Sequence, residues 1–305
     1  METRSAGIPT IVWVVLAIVI AAAALMVVYL RKRPAKKPNA PSAARTETAG
    51  GEKQAPAGSG IVCSMAQTVG ARQEQQDSMY CSNWNDGRTI QTRGLLAAVS
   101  DGIGGLKDGN VASQTAMQTM RTLFHQETAA IPAADFLLKL AAAAQKKVYA
   151  LNANGANCGA TLVSVLIRGR NLWFLSIGDS HIYLYRAGAL LQLNREHTLG
   201  RENAEKQTLT GKGEALTAKR AGALTSYLGK KDLTLIDRSL QPMKLLPGDR
   251  IVLMSDGVFN TLSDDEIIRC LRTDPASCAQ SMITAVDQKQ NPRQDNASVV
   301  VISVS

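Results

Sequence analysis

Short apolar runs alternate with polar or glycine-rich turns along most of the chain, and each run predicts a strand. Polar segments with charged and glycine residues separate them, as in the loop 69–77. A turn at 187–189 divides one long run into a hairpin. The predicted strand segments are 61–68, 78–82, 94–100, 159–169, 171–179, 181–193, 233–240, 249–256 and 298–304.

Helical patterns occur between these strands. Helices are predicted at 110–126, 133–151 and 275–288. Ser263 begins another helix that ends near Leu271, with Glu266 in the third position of a capping box. The polar stretch 195–221 is predicted to be a long surface loop. Strand runs interrupted by helix pairs favour an α+β fold in which helices cover mostly antiparallel sheets.

The N-terminal region has a different pattern. Residues 11–30 contain no charge and are long enough to cross a bilayer as one helix, after a short segment at 1–10. A cleaved signal peptide is the competing interpretation, but the apolar run continues past its small residues. Residues 31–60 form a linker that is first basic and then rich in Pro, Ala, Gly and Ser. The positive-inside rule then places the folded domain, 61–305, in the cytoplasm.

Charge supports the membrane interpretation more than nucleic-acid binding. The formal net charge is +9, and residues 1–60 carry +5 of it, which leaves +4 for the remaining 245 residues. Aromatic residues make up only 4% of the chain, which disfavours a stacking surface for nucleic acid. The five cysteines form no CxxC pair, so neither a zinc site nor a disulfide framework is predicted.

Acidic residues lie at strand ends beside Gly, Ser or Asn. Four are Asp101, Asp179, Asp256 and Asp295, and Asp77 precedes the second strand. Carboxylate oxygens are the ligands that Mg²⁺ and Mn²⁺ prefer. Each Asp taken alone is better explained as a turn or cap residue. Five of them in this setting favour a shared metal site.

A set of motifs in a fixed order is more specific than any of these residues alone. VSDGIGG, GNVAS, GATLVSVL, IGDSHIYLYR, REHTL, ALTSYLG, LLPGDRIVLMSDGVFNTLSDDEI and QDNASVVVI follow one another from about residue 65 to the C-terminus. This set resembles the metal-dependent protein serine/threonine phosphatases of the protein phosphatase 2C type. The resemblance implies a four-layer α/β/β/α sandwich of two antiparallel sheets flanked by helices, which the transmembrane helix would precede.

The resemblance also implies a centre of two Mn²⁺ or Mg²⁺ ions at one end of the sandwich. Asp101 would bridge both ions, and the carbonyl of Gly102 would be a further ligand. Asp256 and Asp295 would complete the shell of the first ion. Asp77 would act on the second ion through water.

A weaker third ion is implied at Asp179, together with Asp256. Arg72 lies where the family has an arginine that binds the substrate phosphate, so Asp101, Asp256 and Arg72 are the predicted catalytic residues. Hydroxide between the two ions would attack the phosphorus of phosphoserine or phosphothreonine in line. The expected partners are phosphorylated Ser/Thr proteins, including a kinase or its substrates, and the membrane, but no nucleic acid.

Some positions depart from the family pattern. Gln76 replaces a Glu, which removes one negative charge near the second ion and predicts weaker metal affinity. Ile103 replaces a His of eukaryotic members, which places the chain with the bacterial ones. In a bacterium, the predicted transmembrane helix would place the domain at the inner membrane. His181 replaces an arginine and is expected to be structural. His197 begins a flap at about 199–221 and is expected to position that loop.

Other site classes fit less well. A dinucleotide fold fails because Lys107 stands where the third Gly of GxGxxG belongs. An EF-hand loop from Asp101 fails at Ile103 and Gly105, and a P-loop lacks its GK[ST]. The remaining alternative is a membrane-tethered, catalytically weak or inactive module of the same fold that binds phosphoproteins, which Gln76 alone favours.

Overall fold

The computed structural model describes residues 60–103, 108–126, 130–153 and 155–305. The predicted segments at 1–10 and 11–30, and the linker 31–60 apart from Gly60, lie outside the described residues. Within the described ranges, no helix is long and apolar enough to cross a bilayer.

Eleven strands and eight helices make up the described part of the chain. The strands are β1 Ile61–Thr68, β2 Ser78–Cys81, β3 Leu95–Ser100, β4 Leu162–Arg168, β5 Asn171–Ile177, β6 His181–Arg186, β7 Ala189–Gln192, β8 Asp237–Arg238, β9 Met243–Lys244, β10 Arg250–Met254 and β11 Ala297–Val304. The helices are α1 Gly87–Arg93, α2 Gly109–Gln126, α3 Ala133–Ala153, α4 Leu199–Thr210, α5 Ala218–Ala221, α6 Asp256–Phe259, α7 Asp264–Leu271 and α8 Cys278–Gln288.

The strands form two antiparallel sheets. The first has the order β1-β11-β10-β6-β7, and the second has the order β2-β3-β4-β5-β8, with β9 also paired to β5. The C-terminal strand β11 lies between β1 and β10. The first and last strands of the described part of the chain therefore pair with each other, and the predicted antiparallel architecture is confirmed.

Successive residues of a strand point to opposite faces of its sheet, and this alternation explains how sheets and helices stack in layers. In β3, Leu95, Ala97 and Val99 face the core between the sheets, whereas Leu96 and Ala98 pack against α2 and α3. In β11, Val300 and Ile302 face the same inter-sheet core, whereas Val301 between them packs with residues of α7 and α8. Both faces of these strands are buried, which gives the layer order helices, sheet, sheet, helices.

Three expectations need correction. The predicted strand 233–240 pairs with β5 only at Asp237–Arg238, because Leu233 and Ile236 instead pack on the helix-covered core. The predicted helix 275–288 begins at Cys278. Helix α1 was not predicted, and it begins where Asp86 accepts hydrogen bonds from the backbone N–H groups of Arg88 and Thr89.

The predicted surface loop 195–221 contains two helices. Thr198 caps α4 by accepting a hydrogen bond from the Arg201 N–H, and Gly211 ends the helix in the left-handed conformation. Helix α4 has no buried residue, so no apolar stripe marks it in the sequence. The capping box of Ser263 and Glu266 at the start of α7 is confirmed.

Candidate metal centre

Strand register brings the five predicted carboxylates to one edge of the sandwich. Ser78 pairs with Ser100, so Asp77 and Asp101 lie side by side just beyond β2 and β3. Met254 pairs with Val299, which places Asp256 near the segment that carries Asp295. The β5–β6 turn reaches the same edge because Leu162 at the start of β4 pairs with Ile177. This turn carries Asp179.

Asp77 is the most buried of the five, with 4% of its surface exposed. Its Oδ2 accepts a hydrogen bond of 2.7 Å from the Ser255 hydroxyl. Its Oδ1 is buried and has no hydrogen-bond partner among the described residues. Burial raises the pKa of Asp77 to about 6, and the negative charge of Asp256 also raises it, although the hydroxyl groups of Ser255 and Ser298 oppose the shift.

Asp101 is the electrostatic centre of the group. Burial raises the pKa of Asp101 well above its usual range, and the charges of Asp77, Asp256, Asp179 and Asp295 raise it further. The nearby Asp101 side chain lowers the pKa of both Asp77 and Asp256. One side chain thus lies beside two neighbouring carboxylates, as a shared ligand would.

Asp179 and Asp256 complete the negative cluster. Burial raises the pKa of Asp179 to about 7, and the charge of Asp256 adds to the shift. The pKa of Asp256 rises to about 6, first through burial and then through the charge of Asp295, whereas Arg72 lowers it. The carboxylates therefore repel one another strongly when no cation is bound.

Arg72 is the predicted phosphate ligand, and it forms an ion pair with a predicted metal ligand. Its Nη2 lies 2.6 Å from Asp295 Oδ2, and the two side chains are 51% and 38% exposed. Because half of the Arg72 side chain is exposed, its guanidinium also faces solvent beside the cluster. Its role towards phosphate stays a prediction.

Close backbone packing holds two of the acidic turns. The N–H of Gly102 donates to the Gln76 carbonyl at 3.1 Å, and the N–H of Asp101 donates to Thr161 Oγ1 at 3.0 Å. A Cβ at Gly102 would overlap the backbone of Gly109. Only glycine fits there. The turn is therefore fixed close to the loop that carries Asp77, and the role of the Gly102 carbonyl as a ligand stays a prediction.

Asn296 is a functional residue that the sequence reasoning missed. It is 4% exposed, and its Nδ2 donates to the carbonyls of Val69 and Glu74 at 2.9 and 3.0 Å. Its Oδ1 accepts from the Gln76 N–H at 2.8 Å. One side chain thereby joins the loop before Asp77 to the segment of Asp295. Its position directly after that Asp in QDNAS is the only signal in the sequence.

The two histidines near the site hold loops, as expected. His197 is buried and accepts a hydrogen bond of 3.0 Å at Nδ1 from the Gly178 N–H, beside Asp179. Burial lowers the pKa of His197, so the neutral ring persists. His181 is buried, and its Nε2 lies 2.7 Å from Glu196 Oε1.

The donor set fits divalent cations. The chain places five hard oxygen donors together, and the buried Asp77 Oδ1 lacks a partner that a cation or its water would supply. In 60–103, 108–126, 130–153 and 155–305, no three His, Cys, Asp or Glu side chains form a closed ligand set. Ser255 contacts one oxygen of Asp77, and Arg72 contacts one oxygen of Asp295.

Comparison with known proteins decides the family. The sequence model described as protein phosphatase 2C matches residues 67–290. The chain belongs to the protein phosphatase 2C family. This protein phosphatase 2C chain is 29% identical over 227 residues to the serine/threonine protein phosphatase PstP of Mycobacterium tuberculosis, and the match covers 72% of the chain. It spans only 42% of that relative's length.

Solved structures support the same family and fold. A serine/threonine phosphatase of S. agalactiae superposes with a TM-score of 0.69 at 25% identity, covering 80% of this chain and all of that one. The catalytic domain of PstP in complex with two manganese ions superposes with a TM-score of 0.64 at 25% identity, covering 80% and 98%. The predicted membership in the protein phosphatase 2C family is confirmed.

Proposed function

We propose that the protein is a protein serine/threonine phosphatase that hydrolyses phosphoserine and phosphothreonine with two Mn²⁺ or Mg²⁺ ions. The observation that carries the proposal is the group of five carboxylates centred on Asp101. Burial and the negative charges of the other four raise the pKa of Asp101, and a bound cation would offset these charges. Family membership and the manganese ions named for PstP support the choice of chemistry.

Each carboxylate has a proposed position towards the ions. Asp101 would be shared by both, Asp256 and Asp295 would hold the first, and Asp77 would hold the second through water. Asp179 would take part in a weaker third site. Two ions bound there neutralise the cluster and lower the pKa of coordinated water, so that a nucleophile is available at neutral pH.

The remaining chemistry comes from the chain itself. The carbonyl of Gly102 would add an oxygen donor to the second ion. Arg72, once released from Asp295, would bind two oxygens of the substrate phosphate with its planar guanidinium. The packed turn at Gly102 and the Asn296 contacts keep the donors in place before substrate arrives.

Hydrolysis of a phosphothreonine peptide by the full-length chain tests the proposal. We expect phosphate release that needs Mn²⁺ or Mg²⁺, stops with chelator and falls at least about 100-fold in Asp101→Asn and Asp256→Asn. The exposed Asp264 provides the matched control Asp264→Asn. Metal binding with no phosphate release would instead favour a binding module, to which Gln76 gives some support because it replaces a Glu of the family pattern.

We also propose that residues 11–30 anchor the protein in the bacterial inner membrane, with the phosphatase domain in the cytoplasm. The uncharged run and the basic residues at 31–37 support this orientation. A phosphatase in that place would oppose a Ser/Thr kinase at the membrane. Resistance of the protein to extraction by alkaline carbonate tests the anchor. Phosphoproteomics of a strain without the gene tests the substrates, and unchanged Ser/Thr phosphosites would contradict the pairing.

A further inference from the structure

A cavity of about 420 Å³ opens beside the carboxylate cluster. Its lining includes Asp179 and Asp256, and Gly200 and Arg201 at the start of α4. The volume lies in the range of small-ligand pockets, roughly 300–1,000 Å³. A peptide whose phosphate lies at the cluster would therefore place a neighbouring side chain in this cavity.

One wall of the cavity presents a fixed carboxylate. Glu196 lines the cavity, is 33% exposed at its side chain, and lies 2.7 Å from His181 Nε2 through Oε1. The His181 ring is itself fixed, because Nδ1 contacts the Tyr183 hydroxyl at 2.8 Å and the ring stacks on Phe259 with 3.6 Å between centroids. This buried support holds Glu196 in one orientation towards the cavity.

Glu196 is ionised in this setting. Its hydrogen bond with His181 lowers the pKa of Glu196 below its usual range, and Arg201 lowers it further. The other carboxylates of the cavity, Asp179 and Asp256, have raised pKa values and are the proposed metal ligands. Metal ions held by these two residues would offset their charges.

The nearby cation is already paired. Arg201 Nε lies 2.9 Å from Glu205 Oε1, and Arg195 contacts the same carboxylate through Nε at 2.8 Å. Arg201 also leaves 55% of its side chain exposed, where water screens its charge. Phe259 adds an apolar ring to the wall that carries Glu196. The cavity thus offers a surface for an aliphatic stem and an acceptor for a positive head group.

We propose that this cavity binds a Lys or Arg side chain next to the phosphorylated residue of the substrate, with Glu196 as the residue that determines this specificity. The inference rests on the proposed phosphatase function and adds a substrate class to it. His181 acts as a positioning residue, because it contacts Glu196 and not the guest.

Matched phosphothreonine peptides test the preference. A neutral peptide is compared with six variants, each with a single Arg at one position from three residues before to three after the phosphothreonine. The full-length protein with Mn²⁺ is expected to show kcat/KM about fivefold higher for Arg at one or two of these positions, as for a partly exposed ion pair. The same peptides with citrulline, which keeps the shape without the charge, are expected to lose this gain.

Substitutions test the assignment to Glu196. Glu196→Gln keeps an oxygen that accepts from His181, so the buried ring retains its partner, and the Arg preference is expected to fall below about twofold. Glu196→Lys is expected to reverse the preference in favour of Glu at the same position. The exposed flap residue Glu214 provides the matched control Glu214→Gln, which should keep the wild-type ratio.

The outcomes separate the two proposals. Hydrolysis of all peptides with equal kcat/KM, or an Arg preference that survives in Glu196→Gln, would overturn the cavity assignment and leave the phosphatase function standing. Absence of hydrolysis of every peptide and of p-nitrophenyl phosphate by the Mn²⁺-loaded protein would overturn the proposed function itself, and the specificity inference with it.

Discussion

Arg72 and Asp295 form an ion pair at the edge of the carboxylate cluster, with 2.6 Å between Nη2 and Oδ2. The contact joins the residue predicted to bind phosphate to a residue predicted to bind metal. We therefore expect loading of the metal and release of the arginine to be coupled, because Asp295 would serve both partners.

Arg72→Gln tests this coupling. Removal of a cation beside the cluster is expected to tighten Mn²⁺ binding up to about fivefold, since a partly exposed pair contributes at most about 1 kcal/mol. The same change is expected to lower kcat/KM for a phosphopeptide by about tenfold, through loss of a charged hydrogen bond to phosphate. Isothermal titration calorimetry and steady-state kinetics measure the two effects.

The exposed Arg269 supplies the control, because its side chain is 66% exposed and lies on α7. Arg269→Gln should leave both Mn²⁺ affinity and kcat/KM at their wild-type values. Weaker metal binding in Arg72→Gln would mean that the arginine supports the metal site and does not compete for Asp295.

The metal-free protein should lose stability as pH rises from about 4 to 8. Folded Asp77 and Asp256 have pKa values of about 6 and Asp179 of about 7, above the usual 3.8, so the folded state binds more protons than the unfolded chain in this window. The free energy of unfolding then falls as pH rises through this window, by several kcal/mol in total, because each unit of pKa shift corresponds to about 1.4 kcal/mol. Urea denaturation with chelator present measures it.

His197 acts in the opposite direction below pH 6.5, because its lowered pKa makes the folded state bind fewer protons there. Comparison with Asp101→Asn isolates the contribution of the carboxylates to this pH dependence. In this variant, the free energy of unfolding should decline less steeply as pH rises. Mn²⁺ should stabilise the protein more at pH 7.5 than at pH 5, because its ligands must be deprotonated. Identical pH profiles for wild type and Asp101→Asn would contradict a shared buried cluster.

Gly257, directly after Asp256, should tolerate no side chain. A Cβ at this position would overlap the carbonyl oxygen of Asn296, which is backbone and cannot rotate away. Gly257→Ala is expected to destabilise the fold by about 3 kcal/mol. Thermal unfolding in the presence of chelator measures this without the contribution of metal.

Gly87 is the matched control, because it lies in α1 with a negative φ and its added Cβ would meet no atom within 4 Å. Gly87→Ala should be neutral or stabilise the protein by up to about 1 kcal/mol. Equal stability of the two variants would show that the Asp256 and Asn296 turns do not pack as closely as described.

The sequence predicts the strands well where apolar residues dominate. Strand β11 is buried along its whole length, and its run of valines and isoleucine permits no other element. Asp101 and Asp256 are predicted as site residues because each follows a buried, apolar strand. The local pattern of apolar and polar residues is therefore enough to predict which strand ends form the site.

Other features depend on contacts distant in sequence. The flap helix α4 is stabilised by its caps and ion pairs and has no apolar stripe, so periodicity does not reveal it. Asn296 acts on carbonyls more than 200 residues earlier. The pairing of Arg72 with Asp295 spans a similar separation. Only the folded chain shows which polar groups meet.

The stoichiometry of Mn²⁺ binding tests the central claim most directly. Equilibrium dialysis of the full-length protein at pH 7.5 should give two tightly bound ions per chain for wild type and for the control Asp264→Asn. Because Asp101 is the proposed ligand of both ions and lies among the other four carboxylates, Asp101→Asn should lose both ions, whereas Asp295→Asn should lose one. Two ions retained by Asp101→Asn, or none bound by the wild type, would contradict the account.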